Sequence, residues 1–222
     1  INGEAVYPLD PDSFANALFE FVDKNNISVV GGCCGTTPAH LKKLVEKVGG
    51  KKQSLRPALK LPQLASATQA ISMKQEPAPF LIGERLNTQG SRKFKNVILE
   101  EEYDEVLPIA QQQVDSGAHG LDVCVALTER ADEAETIRKV IKKIAPSIKV
   151  PLVIDSTELD VIEAALQTAP GKCLINSTNL ESGRAKADKI FALAKKYNAA
   201  VIVLTIDEKK KKKTAERKLE IS

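Results

Sequence analysis

Several things are scarce in this 222-residue sequence, and each scarcity narrows the reading. No apolar run approaches the ~18 residues needed to cross a bilayer, and the first residues lack a signal-peptide layout. The expectation is therefore a cytoplasmic protein that engages no membrane. Charge of one sign is scarce too. Thirty-two Lys and Arg stand against 29 Asp and Glu, a net +3 with bases and acids interleaved, which argues against a nucleic-acid partner. Four cysteines in such a chain point to metal binding or reactivity rather than to a disulfide framework. The two histidines, His40 and His119, have no partners at metal-ligand spacing. At "IGERLNTQGS" neither GxGxxG nor GxxxxGK occurs, so the glycine-rich phosphate loop of a doubly wound sheet is missing.

What is present is ordinary globular composition, 43% apolar and 27% charged. The first fifty residues read as helix, strand, helix. Asp10 caps a helix with Pro11 at its first position, and Phe14, Ala17, Leu18, Phe21 and Val22 share a face. "ISVVGGCC" reads as a short buried strand. A second helix starts at Thr37-Pro38, buries Leu41, Leu44, Val45 and Val48, and stops at Gly49. Residues 50–79 read as an interdomain linker that drapes over a neighbour, with Leu55, Leu59, Leu61 and Leu64 available for partial burial.

From residue 80 the rhythm changes. Apolar runs at "FLIGE", "GLDVCV", "VPLVIDS", "KCLINS" and "AAVIVLT" alternate with amphipathic segments, such as the stripe Ile137, Val140, Ile141, Ile144. Such alternation means an α/β fold with a parallel sheet, either covered on both sides or closed into a barrel. A further helix opens at "TAERKLEIS". Each run ends in a polar group: Glu84, Asp122, Asp155, Asn176, then Thr205 and Asp207. A barrel builds its active site from the carboxyl ends of its strands, and this polarity favours the barrel.

Individual residues carry two readings each. Cys33 and Cys34, framed by Gly31, Gly32 and Gly35, are either small residues at a strand end or soft ligands for zinc. A strand-end Asp or Asn caps a helix as readily as it binds a ligand. Thr157 with Asp160 forms a capping pair that leaves Asp155 free for a site. Cys124 and Cys173 read as core thiols. The lysines at 209–213 read as a solvated loop or as a patch for an anionic partner.

The stretch "GGCCGTTPAHL" resembles the terminal signature of zinc-dependent homocysteine S-methyltransferase domains. "IGERLNTQGSRKFK", "LDVC", "VIDST" and "INSTN" resemble, in order, the pterin-binding domain of the cobalamin-dependent methionine synthase family. The resemblance implies two (β/α)8 barrels, both incomplete here. Residues 1–49 would end a homocysteine-binding zinc barrel, and residues 80–222 would supply five strands of a pterin barrel. It further implies that Cys33 and Cys34 are two of three cysteine ligands to zinc, the third preceding residue 1. Glu84, Asn87, Asp155 and Asn176 would bind folate, with Asp122 shaping the floor. Where this family often has asparagine, the chain has Cys124. The implied reaction moves a methyl group from 5-methyltetrahydrofolate, via cobalamin on a domain outside this chain, to zinc-activated homocysteine. Competing readings are a folate-dependent corrinoid methyltransferase, a dihydropteroate synthase-like pterin enzyme, and a non-catalytic scaffold.

Overall fold

The structure is a computed structural model and describes residues 7–25, 27–52, 62–208 and 214–221. The leucines expected to be partly buried at 55, 59 and 61, and the lysine run 209–213, lie outside the described residues. The chain divides into two compact units, Ile1–Lys60 and Leu61–Ser222.

The first unit pairs helix α1 (Pro11–Asn25) with helix α2 (Pro38–Val48). Asp10 caps α1 as expected: its Oδ1 accepts from the Asp12 and Ser13 amides, each at 2.9 Å. Thr37 begins α2, and His40, given no role from the sequence, supports that end. Its Nδ1 accepts from the Thr37 amide at 3.2 Å, its Nε2 lies 2.8 Å from the Leu9 carbonyl, and its ring meets Phe14 edge-on at 5.4 Å. The Gly49 amide closes the last turn on Val45 O at 2.8 Å.

Two expectations for this unit are corrected. "ISVVGGCC" forms no strand, and Val29 is 86% exposed. A strand exists only as a member of a hydrogen-bonded ladder, and this unit offers no partner among its described residues. The α2 stripe is also only partly covered: Leu44 is buried and Val48 half-buried, whereas Leu41 and Val45 are exposed. On α1, Ala15 is the buried residue, while Ala17 and Phe21 are exposed. Two helices packed on one another can cover only one side of each apolar face.

The second unit opens with a hairpin, β1 (Gln63–Ala65) and β2 (Ala70–Ser72), inside the stretch that reads as a linker. Ala65 exchanges backbone hydrogen bonds of 3.0 and 2.9 Å with Lys172. Gly171 permits this approach: its φ is +81°, and a Cβ there would stand 2.3 Å from Ala65 O. The chain then forms β3 (Ile82–Asn87), α3 (Arg92–Leu99), a 3-10 turn at Tyr103–Glu105, α4 (Val106–Asp115), β4 (Gly120–Cys124) and α5 (Glu133–Ile144). It continues through β5 (Leu152–Asp155), α6 (Leu159–Thr168), β6 (Leu174–Leu180), α7 (Arg184–Lys196), β7 (Ala200–Asp207) and α8 (Ala215–Ile221). Five parallel strands thus alternate with helices, as the apolar runs predict. On α5 the whole stripe Ile137, Val140, Ile141, Ile144 is fully buried.

The strands lie in chain order, β3-β4-β5-β6-β7. The sheet's two faces differ in kind. Leu121, Val123, Leu152, Ile154 and Ile175 join the large core built with α3 to α7. Val153 and Leu174 point the other way and pack with Leu64, Phe80, Ala200 and Ile202, a cluster without helix residues. Helices on one face and a sequential strand order are the geometry of a barrel wall rather than of a doubly wound sheet. The wall is open, however, with β3 and β7 as its edges, and the first unit shows no strand among its described residues. Two barrels are therefore not formed by the described residues, because closure requires a partner for every edge.

Candidate functional site

Strand parity builds the site. Side chains alternate between faces, so if Leu121 and Val123 pack on the helices, Asp122 and Cys124 face the opposite side. The same count puts Asp155 beyond Ile154 and Asn176 beyond Ile175 on that face. The ladder then sets their level, with Asn87 opposite Cys124 and Asp155 opposite Asn176. The inner face is therefore layered. Leu64, Val153 and Leu174 form an apolar floor, and the polar groups stand above it toward the carboxyl ends.

Four of the five expected folate residues meet there. Asn87 Nδ2 donates to Asp122 Oδ2 at 3.0 Å and to Asp155 Oδ2 at 2.9 Å. Asn176 Nδ2 donates to Asp122 Oδ1 at 3.3 Å. Asp122, a weaker candidate from the sequence, is thus the hub, only 2% exposed with both oxygens accepting. Burial pushes its carboxyl above the usual aspartate range, the two amides pull it back, and the charges of Asp155 and Glu84 add to the rise. Asp155 is half-buried and raised for the same first reason, with hydrogen bonds from Asn87 and the Cys124 thiol acting against it. Cys124 is therefore more than core filling. Burial pushes its thiol up to about 11, so it remains a protonated donor beside Asp155.

Glu84 departs from the expected place. The strand does not end there but runs on to Asn87, with a register shift between Gly83 and Leu86. Buried Gln113 explains the irregularity: its Oε1 accepts from the Arg85 amide at 2.7 Å, and a Cβ on Gly83 would lie 2.6 Å from that oxygen. Glu84 is exposed and borders a cavity of about 330 Å³ between β3 and α4, which none of the other four residues lines. It reaches the cluster through its charge.

The expected Thr157–Asp160 cap is also corrected. Helix α6 has Glu158 at its N-cap position, Thr157 Oγ1 donates to Glu158 Oε1 at 2.9 Å, and Ser156 Oγ accepts from the Glu158 amide at 3.1 Å. A serine hydroxyl one residue nearer the strand reaches that amide first. Ser156 also donates to Glu133 Oε1 at 3.3 Å, so both are framework residues of the mouth that sequence reading missed. Thr88 is another: its Oγ1 donates to Ala126 O at 2.7 Å and ties the loops after β3 and β4 together. Cys173 is buried, its thiol pushed up to about 12.

In the first unit, Cys33 and Cys34 are exposed, reduced and 3.5 Å apart at sulfur. A turn holds them, with the Thr36 amide donating to Cys33 O and the Cys33 amide to Thr36 Oγ1, both at 3.0 Å. Gly35 takes φ +79°, which a side chain rarely tolerates. The Cys34 amide, and then its thiol, hold Cys33 below the ordinary cysteine range. Two thiolates on one tetrahedral zinc at ~2.3 Å would stand roughly 3.8 Å apart, so the pair fits two positions of such an ion. Among the described residues no group of three or more His, Cys, Asp or Glu forms a metal site.

A parallel α/β wall that gathers carboxylates and amides at its strand carboxyl ends is the frame of an enzyme that holds a polar, hydrogen-bonding ligand. The model of the pterin-binding enzyme family matches residues 83–221, and the chain belongs to that family. Residues 1–48 match the model of homocysteine S-methyltransferase. The chain is 39% identical over 221 residues to methionine synthase of Mycobacterium tuberculosis, covering 98% of this chain and 18% of that protein. With methionine synthase of Mycobacterium leprae it shares 37% over 226 residues, 98% of this chain and 19% of that one. The chain thus spans under a fifth of the length of these curated relatives. Among solved structures, a dihydropteroate synthase of Xanthomonas albilineans, in complex with indole-2-carboxylic acid and 6-chloroguanine, aligns with a TM-score of 0.43 and 18% identity. That alignment covers 65% of this chain and 49% of the other. Among the described residues no helix is long and apolar enough to cross a membrane.

Proposed function

We propose that this chain is part of a methyltransferase of methionine synthesis, which transfers a methyl group from 5-methyltetrahydrofolate to homocysteine. The observation that carries the proposal is the convergence of Asn87, Asp122, Asp155 and Asn176, from four strands, into one hydrogen-bonded cluster. The two family matches, in this order within one chain, support it. In this reading residues 1–49 end a homocysteine-binding barrel and residues 80–222 begin a pterin-binding one. Residues 50–79 connect them, the hairpin β1–β2 serving as the base of the second.

A methyl on N5 of a tetrahydropterin leaves only when that nitrogen becomes more cationic. Asp155 is assigned to the pterin's N–H groups: it is half-buried, and an amide occupies its Oδ2 alone. Asn176 takes the ring edge. Asp122 shapes the floor, Asn87 joins the two carboxylates, and Glu84 adds negative charge near the rim. Cobalamin, the methyl carrier, belongs to a domain outside this chain and is a partner of this one. Cys33 and Cys34 are assigned as two ligands of a zinc ion whose third is supplied elsewhere. Zinc, when bound, supplies Lewis acidity that keeps a substrate thiol ionised at neutral pH. The setting is cytoplasmic.

The test is calorimetric titration of the full-length protein with 5-methyltetrahydrofolate. Hydrogen bonds to a charged group are worth about 1.5–3 kcal/mol, so Asp155→Ala should weaken binding by roughly 10- to 150-fold. Asn176→Ala should weaken it by less. Unchanged affinity in both variants removes the folate assignment. Metal analysis of the Cys33→Ala, Cys34→Ala double variant should show zinc lost, and full retention removes the ligand assignment.

A further inference from the structure

Asp122 is the most buried member of the cluster, yet its two carboxylate oxygens are already taken by the chain's own amides. Oδ2 accepts from Asn87 and Oδ1 from Asn176, at 3.0 and 3.3 Å. Asn87 gives its other amide hydrogen to Asp155, and its Oδ1 accepts from the Gln89 backbone at 2.9 Å. It is therefore fully committed to the framework. Asn176 differs. Its amide nitrogen is held by Asp122, which fixes the polarity of the carboxamide and turns Oδ1 away from the carboxylate.

We propose that Asp122 is a positioning residue rather than a ligand-contacting one. It holds the Asn87 and Asn176 carboxamides by their NH2 groups, so that Asn176 presents its carbonyl oxygen as an acceptor for a ring N–H of the pterin. A carboxamide is nearly symmetric in shape, and only its partners decide which end faces a ligand. A carboxylate offers acceptors alone and so enforces one orientation for both neighbours. An amide in its place would offer one acceptor and one donor. The acceptor could still serve Asn87, but the donor would oppose the Asn176 NH2 and release that side chain to turn. The inference rests on the folate reading above and adds to it the direction of one hydrogen bond.

The arrangement is testable by exchanging the two groups. Asp122→Asn alone, in the full-length protein, should weaken 5-methyltetrahydrofolate binding at least tenfold. Asp122→Ser, which keeps a single small oxygen, should do the same if the first variant folds poorly. Asp122→Asn combined with Asn176→Asp restores a donor facing an acceptor across the pair while leaving an oxygen toward the ligand. The exchange should recover affinity to within about threefold of the parent, which a general packing defect at position 122 would not allow. An exchange no better than Asp122→Asn overturns the proposal, as does an Asp122→Asn variant within twofold of the parent. The parent titration separates the two levels of argument. A parent that binds no methyltetrahydrofolate overturns the folate reading and this inference together. A parent that binds, with variants that fail the exchange, overturns the inference alone.

Discussion

The two units hold their chemistry in opposite ways. In the first, two sulfurs stand exposed on a glycine turn closed by hydrogen bonds between Cys33 and Thr36. In the second, four polar groups separated by up to 89 positions meet on the inner face of a sheet above a sealed apolar floor. The turn is local and its reactive atoms face solvent. The cluster is non-local, and burial is what perturbs its carboxyls. A site of the first kind depends on backbone conformation, a site of the second on strand register.

The sharpest way to break this contrast is thiol labelling of metal-stripped protein. Cys33 and Cys34 should react with a maleimide at once, and Cys124 and Cys173 only on unfolding. Thiols pushed up to about 11 and about 12 lose roughly 100- to 1,000-fold in thiolate fraction against a cysteine at 9.0, before access is counted. Four equivalents of rapid labelling would erase the distinction.

Next in size is core truncation. Ile141→Ala, at a fully buried position on α5, should lower unfolding stability by about 2–5 kcal/mol in a denaturant titration. Val45→Ala on α2, where the side chain is 65% exposed, should stay within about 0.5 kcal/mol. Equal effects would mean that exposure misreports how the first unit is packed.

The smallest effect is in pH. The folded pKa of Asp122 is raised, so the folded state binds its proton more tightly than the unfolded state does. Its ionisation therefore costs stability progressively as pH rises from about 3.9 to the folded pKa, and the cost is constant above. Asp132 has the opposite sign. Arg130 holds it down to about 2, so its contribution is lost as pH falls from about 3.8 toward 2. Thermal midpoints of Asp122→Asn should show a flatter slope above pH ~4 and an unchanged acid limb below it. Loss of the acid limb instead would assign the acid sensitivity to the wrong carboxylate.

How much was legible followed the reach of the interactions. The α5 stripe and the five apolar runs are periodic within a few residues, so they read directly as a helix and as strands. "ISVVGGCC" was misread because an apolar run states a preference for burial but not whether a ladder partner exists. The apolar stripe of α2 was misread likewise, since periodicity identifies a face without identifying what covers it. Glu84 reads as a strand end because it is the polar residue that interrupts the apolar run "FLIG". The side chain that satisfies that interruption, Gln113, lies 28 positions away from Arg85. Asp122 could have been ranked higher by parity alone, flanked as it is by Leu121 and Val123.

The amino-acid order by itself determined the alternation of helix and strand, the inward parity of Asp122, Asp155 and Asn176, and the glycine turn that exposes two sulfurs. Each depends on contacts a few residues long, within reach of one stretch of chain. Only the tertiary structure decided that Asp122 accepts from two amides, that Asn87 donates to both Asp122 and Asp155, and that Leu64 seals the floor. Those facts depend on inter-strand register and on the docking of a hairpin against Lys172, where side chains distant in sequence come within hydrogen-bond range.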